Sequence, residues 1–245
     1  MLSARDEGLA RVGADPSAFM ELFSRVLSPN GAGVTEATRW DVRLPWNGSV
    51  RDTASMLCRG PLGDALLELS GGADAQLWEC AAVIVARGAA PQILHGDTML
   101  NNSDTPEVFT AFVALQDIAP HMGPTRFVPR THAGPDALHA HDALAEDPDL
   151  YCASVPSVLG LLNTGEVALF DSRLLHAGGP YTTEGLGMDA DAETADALPE
   201  RVLFTLSFLH EGAAESMSNV DKNDAGSIRP EVAARGLTLG QIRGI

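Results

Sequence analysis

The ten residues RVLFTLSFLH (201–210) decide the fold class. Read with a period of two, they put Arg201, Thr205 and Ser207 on one face and Val202, Phe204, Leu206 and Phe208 on the other. That alternation belongs to a β-strand, and a polar face on an otherwise apolar strand suits the wall of a ligand-holding cavity. Upstream, LWECAAVIVA (77–86), FTAFVALQDI (109–118), TRFVP (125–129) and EVALFD (166–171) share the bias toward Val, Phe, Leu and Thr, with Gly, Pro, Asn and Asp in the gaps. Strands that follow one another without regularly interleaved helices predict an antiparallel sandwich or barrel, not a doubly wound parallel sheet.

Around this β-rich body the other segments are shorter. LARV and AFMELFSRVL, within residues 1–30, read as one or two helices, with Asp15-Pro16 as a start and Ser28-Pro29-Asn30-Gly31 as a stop. Residues 34–57 read as irregular or edge-strand structure. PLGDALLEL (61–69) predicts an amphipathic helix ended by Gly71-Gly72, and residues 134–147 a helical insertion between strands. EGLGMDADAETADALPE (184–200) carries six acids and no base and is expected to be a mobile surface loop. The tail from 211 is polar, closing on TLGQIRGI, which has the character of a segment that docks on the body. The expectation is a single domain over 1–245, with its β core at 77–210, a helical N-terminal region over 1–70 and the polar tail over 211–245.

Composition narrows the partners. The 245 residues are 45% hydrophobic and 20% charged, enough for one large core. A formal net charge of −17 opposes nucleic acid and anionic lipid, so neither is expected as a partner. No apolar run is long enough for a membrane-spanning helix, and MLSARDEGLARVGADP lacks the pattern of a secretory signal. Cys58, Cys80 and Cys152 form no CxxC and no even framework, which fits reduced thiols in an intracellular, cytoplasmic setting.

The chemistry-bearing residues are His95-Gly96-Asp97, then His176 and Arg201. Two imidazoles and one carboxylate can occupy one face of an octahedral Fe(II) and leave the other open to oxygen and an organic co-substrate. With seven histidines and 33 acids in the chain, about one His-x-acid triplet is expected by chance, and one occurs. Taken alone, then, the triplet is equally a surface turn, His176 a buried structural histidine and Arg201 a charge partner for the acidic loop. In extended chain His95 and Asp97 project the same way, and His176 is expected at the end of the strand that carries EVALFD.

The company the triplet keeps is more specific. PQILHGD (91–97), ALQDIAPHMGPTRFVPRTH (114–132), GEVALFDSRLLHAGG (165–179) and RVLFTLSF (201–208) occur in an order that resembles the phytanoyl-CoA dioxygenase family. The resemblance implies a mainly β, double-stranded β-helix (jelly-roll, cupin-like) fold and a non-haem oxygenase using Fe(II), 2-oxoglutarate and O2. It makes His95, Asp97 and His176 the iron ligands and catalytic residues, sets Arg201 against the distal carboxylate of 2-oxoglutarate, and offers Gln92 as a further co-substrate contact. Arg173 falls in the family's Asp-x-Arg segment. The family's N-terminal strand with an aromatic-rich Gly-Tyr motif is not evident, which leaves open a main sheet short of one element. Because Asp97 is present where related halogenases carry a small residue, the resemblance favours hydroxylation of a small molecule, with release of succinate and CO2. The rival readings are a catalytically silent binding or sensor protein on the same fold and a cupin-like metalloenzyme that does not use 2-oxoglutarate. Substrate choice is expected to reside in loops around the mouth, at 34–57, 98–108, 133–160 and 184–200.

Overall fold

The computed structural model describes residues 1–28, 31–33, 38–98, 100, 106–182, 199–213 and 226–245, so most of the acidic segment 184–200 lies outside the described residues. Among the described residues eleven strands run in chain order: β1 (Phe23–Ser24), β2 (Val26–Ser28), β3 (Gly31–Gly33), β4 (Arg39–Arg43), β5 (Gln76–Val85), β6 (Val108–Ala114), β7 (Thr125–Phe127), β8 (Val158–Leu159), β9 (Val167–Asp171), β10 (His176–Gly178) and β11 (Arg201–Leu209). A six-stranded antiparallel sheet has the order β1-β4-β5-β11-β6-β9, and a smaller one has the order β10-β7-β8. From β8 to β11 successive strands alternate between the two sheets, as they do in a jelly roll and in the double-stranded β-helix. Among the described residues, β2 and β3 pair with each other in a separate two-stranded sheet.

The alternation in β11 sorts its side chains as their chemistry requires. Val202, Phe204, Leu206 and Phe208 join Cys80, Ala82 and Ile84 of β5 in the largest apolar core. Against this outer face lie α3 (Gly48–Arg59), through Val50, Ala54 and Cys58, and α4 (Pro61–Leu69), through Leu66. Phe204 is fully buried, so Phe204→Ala is expected to cost about 3–5 kcal/mol of unfolding free energy, read from the midpoint and slope of a urea melt.

Several expectations are corrected. The helix expected through Leu27 ends at Leu22, because Phe23 and Ser24 pair with Val42 and Asp41 and bury the Phe23 ring in the core. Residues 39–43 are not an edge but an interior strand, flanked by β1 and β5. From Gly48 the supposed loop is helix: Asn47 accepts a hydrogen bond from the Val50 amide at 3.1 Å, a helix N-cap, and Val50, Ala54 and Cys58 form a stripe at four-residue spacing. Its place on the outer face removes 48–57 from the segments expected around the mouth. β1 and β4 extend the large sheet beyond β5.

The chain's end docks. Thr238 and Gln241 form a reciprocal capping box at the start of the helix Leu239–Arg243, which buries Leu239 and Ile242 in the core, and Ser55 donates to the Ile242 carbonyl at 2.9 Å. Among the described residues, no helix is long and apolar enough to cross a membrane.

Candidate metal centre

His95 and His176 face each other across an antiparallel bridge: His95 N donates to His176 O at 3.0 Å and His176 N to His95 O at 2.8 Å. This bridge adds the His95 segment to the edge of β10. His176 therefore opens a strand of the smaller sheet instead of closing the one that carries EVALFD; the chain turns at Ser172–Leu175 and changes sheet. Asp97 is set by its own backbone, whose N–H donates to Ser172 O at 2.7 Å. Gly96 lies so close to the following turn that a Cβ there would sit 2.9 Å from the Arg173 carbonyl oxygen. Arg173, 1% exposed, holds that turn through its ion pair with Asp171 at 2.7 Å.

Both imidazoles are oriented by their backbones. His95 Nδ1 lies 2.8 Å from Ile93 O and His176 Nδ1 2.9 Å from Leu174 O, so each Nδ1 carries the proton and each Nε2 presents its lone pair. His95 Nε2 and His176 Nε2 stand 3.7 and 3.5 Å from the same Asp97 oxygen, and one ligand atom from each of the three lies within 4.8 Å of the others. Two neutral nitrogens and one carboxylate oxygen on a shared centre, with backbone carbonyls holding the ring tautomers, form a donor set that fits a divalent first-row metal. Phe112, Phe127 and Phe170 surround His176 at ring separations of 6.2, 6.1 and 5.0 Å.

Burial tunes these groups for ligation. It lowers both imidazoles to about 4, aided at His95 by the charge of His176, so they are neutral at pH 7. Desolvation raises the Asp97 carboxyl to about 6. Metal affinity is therefore expected to be level above about pH 6.5. It should then fall about tenfold per unit as a proton occupies Asp97, and more steeply near pH 4 as the imidazoles protonate. Ni(II) titrations across that range would measure it.

Other polar residues on the inner face are less apparent in the sequence. Glu79 accepts a hydrogen bond from Ser207; Thr110 Oγ1 stands 2.9 Å from Ser207 Oγ and 2.7 Å from Ser172 Oγ, so a polar line runs from Glu79 to the turn that holds Asp97. Asp41 accepts from Ser227. Desolvation first, then the charge of Asp97, raises Glu79 from 4.5 to about 7. Between those values the folded protein holds a proton that the unfolded chain has released, so this stabilisation is full below pH 4.5 and lost as pH rises to 7. Glu79→Gln is thus expected to raise stability by roughly 1 kcal/mol at pH 8 and to change it little at pH 5, in urea melts at both values. The RWDVR alternation at 39–43 was the available signal for this face: Trp40 and Val42 enter the core, and Arg39, Asp41 and Arg43 point inward.

Arg201 is 1% exposed, on the inner face of β11, and donates to the Gly123 carbonyl; it is not a surface partner of the acidic loop. Gln92 is engaged with β10, its N–H donating to Gly178 O at 2.8 Å and its Oε1 accepting from Gly178 N at 2.9 Å.

The family model described as phytanoyl-CoA dioxygenase (PhyH) matches residues 8–186. The chain belongs to the phytanoyl-CoA dioxygenase family. The cofactors of that family are Fe(II) and 2-oxoglutarate, with O2, and the His95, Asp97, His176 donor set suits the metal. The matched span includes the three residues and stops short of Arg201. Among solved structures, this PhyH-family chain is similar to the non-haem α-ketoglutarate-dependent epimerase SnoN from nogalamycin biosynthesis, at 20% identity, covering 83% of this chain and 72% of that one, with a TM-score of 0.48. It is also similar to the non-haem α-ketoglutarate-dependent carbocyclase SnoK from nogalamycin biosynthesis, at 18%, 90%, 84% and 0.49. A third is HygX from Streptomyces hygroscopicus, with nickel and 2-oxoglutarate bound, at 16%, 82%, 79% and 0.49. No curated protein matches the sequence.

Proposed function

We propose that this PhyH-family chain is an Fe(II)- and 2-oxoglutarate-dependent oxygenase that hydroxylates a small molecule, with His95, Asp97 and His176 as its iron ligands. The observation that carries this reading is the convergence of three donor atoms within 4.8 Å, with both imidazoles locked by backbone carbonyls. When bound, the iron and 2-oxoglutarate supply the oxidising chemistry, with release of succinate and CO2.

The protein's part is placement and shielding. Asp97 supplies the negative charge of the ligand set. Arg201, buried at the start of β11, suits the distal carboxylate of 2-oxoglutarate, because a guanidinium pairs with a carboxylate in a fixed planar geometry. Two residues further along β11, Leu203 lines a narrow apolar cleft with Phe112, Phe127 and Ala168, and apolar walls of this kind would help to keep water from a bound co-substrate. Gln92 acts on this pocket through β10. Retention of Asp97 supports hydroxylation over halogenation, since the carboxylate fills the position a halide would need.

The test is anaerobic addition of Fe(II) and 2-oxoglutarate to metal-free protein, followed by exposure to air. A metal-to-ligand charge-transfer band, then succinate formed without added substrate, is the expected result. A substrate found by screening should gain one oxygen atom in mass. A band with no succinate would favour the silent binding protein, and succinate with a product that has lost two hydrogens would replace hydroxylation by another oxidation.

A further inference from the structure

A second arginine accompanies Arg201. Arg39 on β4 and Arg201 on β11 are both partnered with Val85, one on either side of β5, so the two side chains leave the same face at the same level of the sheet. Each is 1% exposed. Their anchors converge as well. Arg201 donates to Gly123 O, and Arg39 Nη2 donates to Gly179 O at 2.8 Å and to Ala90 O at 2.9 Å. The two glycines touch: a Cβ on Gly123 would lie 2.4 Å from the Gly179 oxygen. Gly178 is bare for a related reason, since a Cβ there would stand 2.4 Å from Arg39 Nη1 and 2.6 Å from Gln92 Oε1.

Two buried guanidiniums at one level repel each other, and the neighbouring apolar cluster of Val85, Ala89, Met122 and Tyr181 does little to screen them. Burial first, then the charge of Arg39, pushes Arg201 well below the usual guanidinium value, to about 9. Among the described residues, Arg201 Nε and the Thr205 hydroxyl one strand repeat beyond Leu203 on the same face, 3% exposed, are buried without a hydrogen bond. An anion suits this arrangement, because it lessens the repulsion between the two guanidiniums and accepts from Arg201 Nε and the Thr205 hydroxyl.

We propose that Arg39 is a second cationic contact for the distal carboxylate of 2-oxoglutarate, which is held between Arg39 and Arg201. The proposal rests on the co-substrate pocket assigned above and adds a residue from β4, outside the jelly roll itself. It ties the strand that extends the large sheet to co-substrate affinity and to the choice of a dicarboxylate.

The experiment titrates anaerobic Fe(II)-loaded protein with 2-oxoglutarate and with 2-oxopentanoate, in which a methyl group replaces the distal carboxylate, following the charge-transfer band. Arg39→Gln is expected to weaken 2-oxoglutarate by about tenfold or more and to leave 2-oxopentanoate unchanged, with Arg39→Lys in between. Equal weakening of both ligands would make Arg39 a brace for Ala90 and Gly179 only and overturn the proposal, as would no effect on either. If Arg39→Gln does not fold, the ratio of the two affinities in Arg39→Lys reads the same quantity. Absence of the band in wild type would instead overturn the pocket assignment, and this proposal with it.

Discussion

Replacing His176 by alanine is expected to abolish the charge-transfer band of the Fe(II)- and 2-oxoglutarate-loaded protein and to weaken divalent-metal binding by at least about 100-fold. Loss even of an outer-shell partner costs roughly 10–100-fold, and His176 is proposed as a direct ligand. The geometry makes the loss hard to compensate. Nδ1 is committed to Leu174 O, Nε2 faces Asp97, and His95 alone then remains to supply nitrogen. At pH 7 the native imidazole is already neutral, so wild type releases no proton from it on binding metal, and the alanine variant gains nothing from a change of pH. Isothermal titration with Ni(II) would measure the loss, and circular dichroism would confirm that the sheet persists. Unchanged Ni(II) affinity in a folded variant would remove His176 from the ligand set.

Arg201→Met is expected to separate affinity from stability. A guanidinium buried beside Arg39 is destabilised in the folded state; its pKa is depressed well below the usual guanidinium value, to about 9, so at pH 7 the whole penalty applies and only pH above 9 would relieve it. That penalty is of the order of a few kcal/mol, and an unbranched apolar side chain removes it without leaving a large cavity. The apoprotein should therefore melt at the same temperature or higher. Co-substrate affinity should fall about 100-fold or more, since losing one partner of a buried charge pair costs about 3–5 kcal/mol. Melting temperature without 2-oxoglutarate and band titration with it would test both halves. A drop in both would mark Arg201 as a structural residue; stability retained with unchanged affinity would remove Arg201 from the co-substrate pocket.

The legible part of this fold is local. Alternation in 77–86 and 201–210 reads as strand because one face of each must enter an apolar core, and the side-chain period of a strand is two. PLGDALLEL reads as a helix because Pro61 starts it and the left-handed glycines at 71 and 72 end it. The helix at 48–59 was equally local, announced by Asn47 and a four-residue stripe, but Trp40, Trp46 and Pro45 give the preceding residues an irregular look. The shortening of the second helix was not legible. AFMELFSRVL has helical character throughout, and only the pairing of Phe23 with Val42, brought from nineteen residues away, draws it into the sheet.

For the site, residue order alone supplies the donor types, the His95–Asp97 spacing and the inward face of β11. It also yields the family, because four segments in sequence are more specific than one triplet. What tertiary structure decides is adjacency. His95 and His176 are 81 positions apart and meet because the His95 segment and β10 exchange backbone hydrogen bonds. Arg39, Glu79 and Asp41 reach the inner face because sheet pairing carries them there, where burial shifts the acids' protonation and sets one guanidinium beside another. Side-chain chemistry is written along the chain, whereas the distances and desolvation that give it function depend on long-range pairing that no local pattern encodes.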